Sequence, residues 1–254
     1  MERPRVVLLG ASNLTLGLPY ALAIARAVAG GPVEALVAAG HGRSYGRWSR
    51  VLARGLPGIL QSELWAEAGR AAGGPAYALV TDVGNDLAYG VSPAEVAGWV
   101  RETLARLAPL GARVVVTRLP EESLAALGPV RFRVAASLLF PGRRLSRAGI
   151  REATADLNRR LAEVAAGHGA ELVAPEAAWY GPDAIHFRRR ARPLAWSGIL
   201  APWSPAPPPS EARRSGRPAR IGRLAPARSK FLGVERRRSQ PALVLPDGST
   251  VAGY

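Results

Sequence analysis

The stretch Arg5-Val6-Val7-Leu8-Leu9-Gly10-Ala11-Ser12-Asn13-Leu14 decides the fold. Five residues of unbroken apolar and β-branched character stop at a glycine, and a helical pattern over Leu16–Ala29 follows. An apolar run that short, with no polar alternation, suits a strand covered on both faces, as in a parallel sheet. The same unit recurs outward from it. Val33–Ala39 reads as a second strand, Ala76–Val83 as a third, Arg113–Thr117 as a fourth and Glu171–Ala174 as a short fifth. Between them lie helical patterns: mostly helix over Gly46–Gly69, then Pro93–Leu107 behind the capping residue Ser92, then Ser146–Ala166 ending at His168-Gly169. Glu121–Leu145 is less regular, with turns at Gly128-Pro129 and Pro141-Gly142. Strands alternating with helices predict a three-layer αβα domain with right-handed crossovers and a doubly wound parallel sheet of five strands.

The composition divides the chain. It has 254 residues, 34 basic and 19 acidic, for a formal net charge of +15. Residues 1–187 hold 20 basic and 16 acidic side chains (+4), and residues 188–254 hold 14 and 3 (+11). The excess charge belongs to the C-terminal segment, where ten of the 22 prolines also fall. Residues 1–200 are therefore expected to form the domain, closed by a helix over Arg189–Leu200 with Trp196, Ile199 and Leu200 facing inward. Residues 201–254 are expected to be a basic Pro/Arg-rich extension. Pro202–Pro209 resembles a linker, and Ala242–Leu245 and Thr250–Ala252 flank an Asp247-Gly248 turn in a hairpin pattern. Without cysteine, disulfides, a thiolate nucleophile and a cysteine zinc site are excluded. Val6–Leu9 is too short for a signal-peptide core or a membrane span, so a cytoplasmic location is the expectation.

In an open parallel sheet, reacting groups gather at the carboxyl ends of the strands. Ser12 and Asn13 follow the first strand, Gly40-His41-Gly42-Arg43-Ser44 the second and Gly84-Asn85-Asp86 the third, and the loop after the fifth carries Asp183 and His186. The set has the parts of acyl transfer. His186 can take the Ser12 hydroxyl proton, and Asp183 can hold the imidazole by its other nitrogen. The backbone N–H of Ser12, a glycine N–H in the Gly40–Gly42 turn and the Asn85 amide can meet a tetrahedral oxyanion. Asp82, polar in an otherwise apolar strand, is expected to pair with Arg43 or His41.

The blocks Gly10-Ala11-Ser12-Asn13-Leu14, Gly40–Gly46, Gly84-Asn85-Asp86 and Asp183-x-x-His186 resemble, in order and approximate spacing, the four blocks of the SGNH/GDSL hydrolases. The resemblance spans roughly residues 5–200. It implies a flavodoxin-like sheet, a serine esterase acting on small-molecule esters, and no metal or organic cofactor. It implies Ser12 as nucleophile, His186 as base, Asp183 as orienting carboxylate, and Ser12, Gly42 and Asn85 as oxyanion donors. Gly42 is favoured over Gly40 because Gly42-Arg43-Ser44 resembles the Gly-Asp-Thr common in that block. Ala11 stands where the family usually has Asp, and Asn13 where it often has Leu.

The same residues admit other readings. An acyltransferase would use the same site, and a binding protein would use the basic tail on nucleic acid or another anionic surface. Gly40-x-Gly42-x-x-x-Gly46 imitates a dinucleotide fingerprint but lacks the acidic residue at the end of the next strand. His168 suits a helix end. Tyr45, Trp48 and Tyr89 follow glycine turns near the site and suit either a pocket or the core.

Overall fold

The computed structural model describes residues 3–70, 74–204 and 224–254. In chain order the first half contains β1 (Arg5–Leu9), α1 (Ser12–Ala29), β2 (Glu34–Ala38), β3 (Ser49–Val51), β4 (Arg54–Leu56), α2 (Leu64–Ala68), β5 (Ala76–Val80), α3 (Asn85–Ala88) and α4 (Pro93–Leu107). The second half contains β6 (Arg113–Thr117), α5 (Glu121–Ala125), α6 (Pro129–Leu139), α7 (Arg147–Gly167), β7 (Glu171–Val173), α8 (Arg192–Ile199), β8 (Arg228–Phe231), β9 (Val234–Arg237), β10 (Leu243–Val244) and β11 (Thr250–Gly253).

β1 pairs in parallel with β2 on one side and with β5 on the other. β6 and β7 continue the parallel ladder beyond β5. Chain direction across the sheet thus reverses at β1, which opens a crevice beyond Leu9 between the loops that leave β1 and β5. The five expected parallel strands all form. Beyond β2 the sheet gains β11, parallel to β2, and β10, antiparallel to β11, for seven strands in all. A separate antiparallel sheet runs β3-β4-β8-β9.

The apolar run of β1 is buried on both faces. Val6 and Leu8 pack with Leu14, Leu18 and Trp196, and Val7 and Leu9 pack with Val96 and Leu157 on the other side. Each such side chain contributes roughly 1.5–3 kcal/mol by leaving water. α8 lies against α1 at Gly17, where an added Cβ would come within 1.8 Å of Trp196 Nε1. The closing helix therefore holds the N-terminal end of α1, and with it Ser12, against the sheet. Ser92 caps α4 by accepting a hydrogen bond from Glu95 N–H at 3.2 Å, and Ser146 caps α7 through Gly149 N–H at 3.3 Å.

Two stretches differ from the sequence reading. Gly46–Gly69 is not mostly helix: only Leu64–Ala68 is α-helical, and the rest is the β3–β4 hairpin and a single 3₁₀ turn at Ile59–Gln61. Glycine interrupts the pattern there. A Cβ on Gly46 would come within 2.1 Å of Trp99, and one on Gly58 within 2.7 Å of Arg47 N. β4 also finds its partner far along the chain, Arg54 opposite Phe231. Glu121–Leu145, expected to be less regular, holds α5 and α6, with Pro129 in the first turn of α6. The linker-like Pro202–Pro209 lies mostly outside the described residues.

Candidate active site

The first turn of α1 is assembled by a carboxylate from the neighbouring strand. Asp82, two residues past β5, accepts hydrogen bonds from Ala11 N–H at 2.9 Å, Leu14 N–H at 3.0 Å and the Asn13 amide at 2.9 Å. It satisfies N–H groups that a helix start leaves open and puts negative charge at the positive end of the dipole. Asp82 adopts a left-handed backbone with φ +59° to do so. This replaces the expected pairing with Arg43 or His41. Arg43 is instead fully buried, donating to Pro57 O at 3.1 Å and to Tyr254 O, so it ties the Gly40–Gly46 loop to the C-terminal residue. Burial, aided by the like charge of Arg54, lowers its pKa to about 9.

Asn13 carries the next connection. Its amide donates to Ile185 O at 2.8 Å, and its carbonyl accepts Phe187 N–H at 2.9 Å. One side chain thus grips the backbone on both sides of His186. The residue beside Ser12 sets where the histidine sits.

Within that frame three sequence-predicted residues meet. Ser12 Oγ lies 2.9 Å from His186 Nε2, and His186 Nδ1 lies 2.7 Å from Asp183 Oδ2. The other Asp183 oxygen accepts the N–H groups of Ile185 at 3.1 Å and His186 at 3.0 Å. Burial alone would push the Asp183 carboxyl up. The bonds from the imidazole and the two backbone N–H groups outweigh it and hold the pKa below the ordinary carboxylate value. The carboxylate is therefore ionised where it faces the ring, which fixes Nδ1 as donor and leaves Nε2 to accept from Ser12.

Asn85 completes the surroundings of Ser12, whereas neither Gly40 nor Gly42 is among the residues that line the cleft. Asn85 opens α3 and lines the same cleft as Ser12. Its Nδ2 is buried with no hydrogen-bond partner among the described residues. A buried amide left unpaired costs about 1–3 kcal/mol, so a partner supplied by a ligand would recover it. Gly42 has φ +62°, and a Cβ there would sit 2.5 Å from Val51 Cγ2 and 2.6 Å from Tyr89 Oη. Its carbonyl accepts the Tyr89 hydroxyl at 2.7 Å. Gly40 is hemmed in differently, against Leu56 Cδ1. Asp86 accepts Tyr45 N–H at 2.9 Å and so joins the second block to the third; burial raises its pKa to about 6.

The aromatic candidates separate. Tyr45 is a core residue whose hydroxyl donates toward Thr81 O at 2.8 Å. Tyr89 is half-buried between Gly42 and Phe140, and Trp48 lies on the second sheet beneath Lys230 and Arg228. His41 is close enough to His186 and Arg54 for their charges, after desolvation, to lower its pKa. His168 faces Val164 O at the end of α7, 3.1 Å away. Beyond Ser12 the cleft has a cavity volume of about 110 Å³, and Leu87, Leu119, Leu124, Phe132 and Ile150 give it apolar walls.

No family model matches the sequence, and no curated protein matches it. Solved structures do. The inhibitor-bound aryl esterase of M. Smegmatis aligns over 78% of this chain and 96% of its own, with a TM-score of 0.51 at 15% identity. TesA aligns over 79% of this chain and 98% of its own, with a TM-score of 0.48 at 17% identity. A member of the lipolytic protein G-D-S-L family from Veillonella parvula DSM 2008 aligns over 78% and 97%, with a TM-score of 0.48 at 13% identity. The chain shares the fold of that aryl esterase.

On this fold the sequence reading missed the roles of Asn13 and Asp82. Both carried a signal: an amide directly after Ser12, and an acid at the end of an apolar strand. No helix among the described residues is long and apolar enough to cross a membrane.

Proposed function

We propose that this protein is a serine hydrolase that cleaves carboxylic esters through an acyl-enzyme on Ser12. The observation that carries the reading is the unbroken hydrogen-bonded chain from Ser12 Oγ through His186 to Asp183. Ser12 Oγ attacks the ester carbonyl carbon while His186 Nε2 takes the hydroxyl proton. The carbonyl electron pair moves onto oxygen, which accepts hydrogen bonds from Ser12 N–H, Gly42 N–H and Asn85 Nδ2. Collapse of the tetrahedral adduct breaks the bond to the alcohol oxygen, and His186 returns its proton to that leaving group. Water, deprotonated by His186, then attacks the acyl-enzyme by the reverse sequence and frees the acid. Asp183 stays ionised throughout and stabilises the imidazolium.

The apolar walls built by Leu119, Leu124 and Phe132 favour an aliphatic or aryl acyl group over a charged one. The unit carrying this chemistry is residues 1–200, with β11 packed along its β2 edge. A series of p-nitrophenyl esters of increasing acyl length tests the reading. Turnover by the wild type and none above background by Ser12→Ala is expected. Equal rates for the two proteins would overturn it.

A further inference from the structure

We propose that the mouth of the cleft is a docking surface for an anionic lipid bilayer. Two exposed apolar patches, one on the helix that walls the cleft and one on hairpin turns joined to it through Gly42, Tyr89 and Phe140, are each set among arginines.

The first patch is the outer face of α6. Phe132, Ala135 and Ala136 face the cleft, as a wall helix should. The opposite face should be polar if it met only water. It presents Val130, Val134 and Leu138 instead, four residues apart and 64%, 55% and 75% exposed. The second patch lies at two adjacent hairpin turns. Leu52 in the β3–β4 turn and Leu232 in the β8–β9 turn are 91% and 74% exposed. Both have left-handed backbones, with φ +53° and +50°. Leu232 N–H donates to Ala53 O at 2.9 Å, so the two tips stand side by side. Holding leucine in a conformation that glycine adopts without strain, and aiming it at solvent, has no return inside the fold.

The patches are joined around the site. Val51 lies over Gly42, whose carbonyl holds the Tyr89 hydroxyl. The Tyr89 ring meets Phe140 edge-on at 5.8 Å, and Phe140 is the residue that ends α6. The apolar rim thus runs from Leu52 past the oxyanion-side glycine to Leu138.

Charge completes the match. From Ser123 to Arg151 there is no acidic residue and there are six arginines. On the β3–β4 and β8–β9 hairpins stand Arg50, Arg54, Lys230 and Arg236, while the nearby acid Glu235 is already paired with Arg228 at 3.0 Å and Arg237 at 3.2 Å. Exposed aliphatic side chains inside a basic belt complement a negatively charged lipid surface, where the aliphatic groups enter the headgroup region and the guanidinium groups meet phosphate. Nucleic acid would use the arginines and leave the valine and leucine stripe in water. The docking itself requires no catalysis. What it delivers, a lipid acyl ester presented to Ser12, rests on the function proposed above.

The test is vesicle flotation with Ser12→Ala protein in about 0.15 M salt. Vesicles of phosphatidylcholine with about one third phosphatidylglycerol are compared with vesicles of phosphatidylcholine alone. Binding to the anionic vesicles is expected to be about tenfold or more stronger than to the neutral ones. The surface pairs Val134→Asp with Leu138→Asp, and Leu52→Asp with Leu232→Asp, should each weaken it about tenfold or more. Their thermal melts should match the parent, since all four residues are exposed. No binding to anionic vesicles, or binding that both double variants retain, would overturn the proposal. Fluorophosphonate labelling of the same double variants in the wild-type Ser12 background reads the catalytic site separately, so either idea can fail alone.

Discussion

Replacing Asn85 with alanine should separate activity from stability. Asn85 Nδ2 is buried in the cleft wall beside Ser12 and has no partner among the described residues. In the resting protein the amide is therefore a cost, of about 1–3 kcal/mol for an unpaired buried donor. In the transition state the same donor meets the oxyanion, and losing it removes about 3–4 kcal/mol, or 10²–10³ in kcat. Asn85→Ala should thus lower kcat by that factor with KM little changed, because the ground-state carbonyl carries little charge. Its melting temperature should stay level or rise. Steady-state kinetics on a p-nitrophenyl ester and a thermal melt on the same sample measure both quantities. A kcat loss below about tenfold would remove Asn85 from the oxyanion site, as the donor's expected worth is far larger. A parallel fall in melting temperature would mean that the amide is structural.

Three further outcomes follow from the geometry. Asp183→Asn keeps an acceptor for Ile185 and His186 N–H but loses the charge facing the imidazole, so kcat should fall by about 10³–10⁴ with the fold intact, read by ester hydrolysis and circular dichroism. Asp82→Ala strands three donors at the start of α1; urea unfolding should show a loss of about 2–4 kcal/mol, and a loss under about 0.5 kcal/mol would contradict the capping role. Asp86, with its folded pKa raised to about 6 by burial against an ordinary 3.8, favours the folded state most when protonated, and that contribution fades as pH rises from about 4 through 6. The wild type should lose up to about 3 kcal/mol relative to Asp86→Asn between pH 4 and 7, measured by paired urea titrations; a constant difference would refute the shift.

The strand-and-turn skeleton was legible because burial on both faces leaves a plain mark, as in Val6–Leu9, and because parallel topology brings the loops after those strands to one edge. Ser12, His186 and Asp183 could be nominated on that ground, although 174 residues separate the first two and only the folded chain sets their distance. Asp82 was misread by seeking a cation for its charge. Its partners are backbone N–H groups and an amide, which leave no charge pattern in a sequence. The β3–β4 hairpin was hidden because β4 pairs with Lys230 and Phe231, far downstream. α6 was hidden because Val130, Val134 and Leu138 make its outer face as apolar as the inner one of Phe132, Ala135 and Ala136, so no single apolar stripe marks the helix.

The proposed chemistry depends on Ser12 as a nucleophile activated by His186. The most direct measurement is intact-protein and peptide mass spectrometry after incubation with a fluorophosphonate. A single adduct on the Ser12 peptide is expected in the wild type, and none on the same timescale in His186→Ala. An unmodified Ser12, or labelling that persists undiminished without His186, would rule out that nucleophile and its activation.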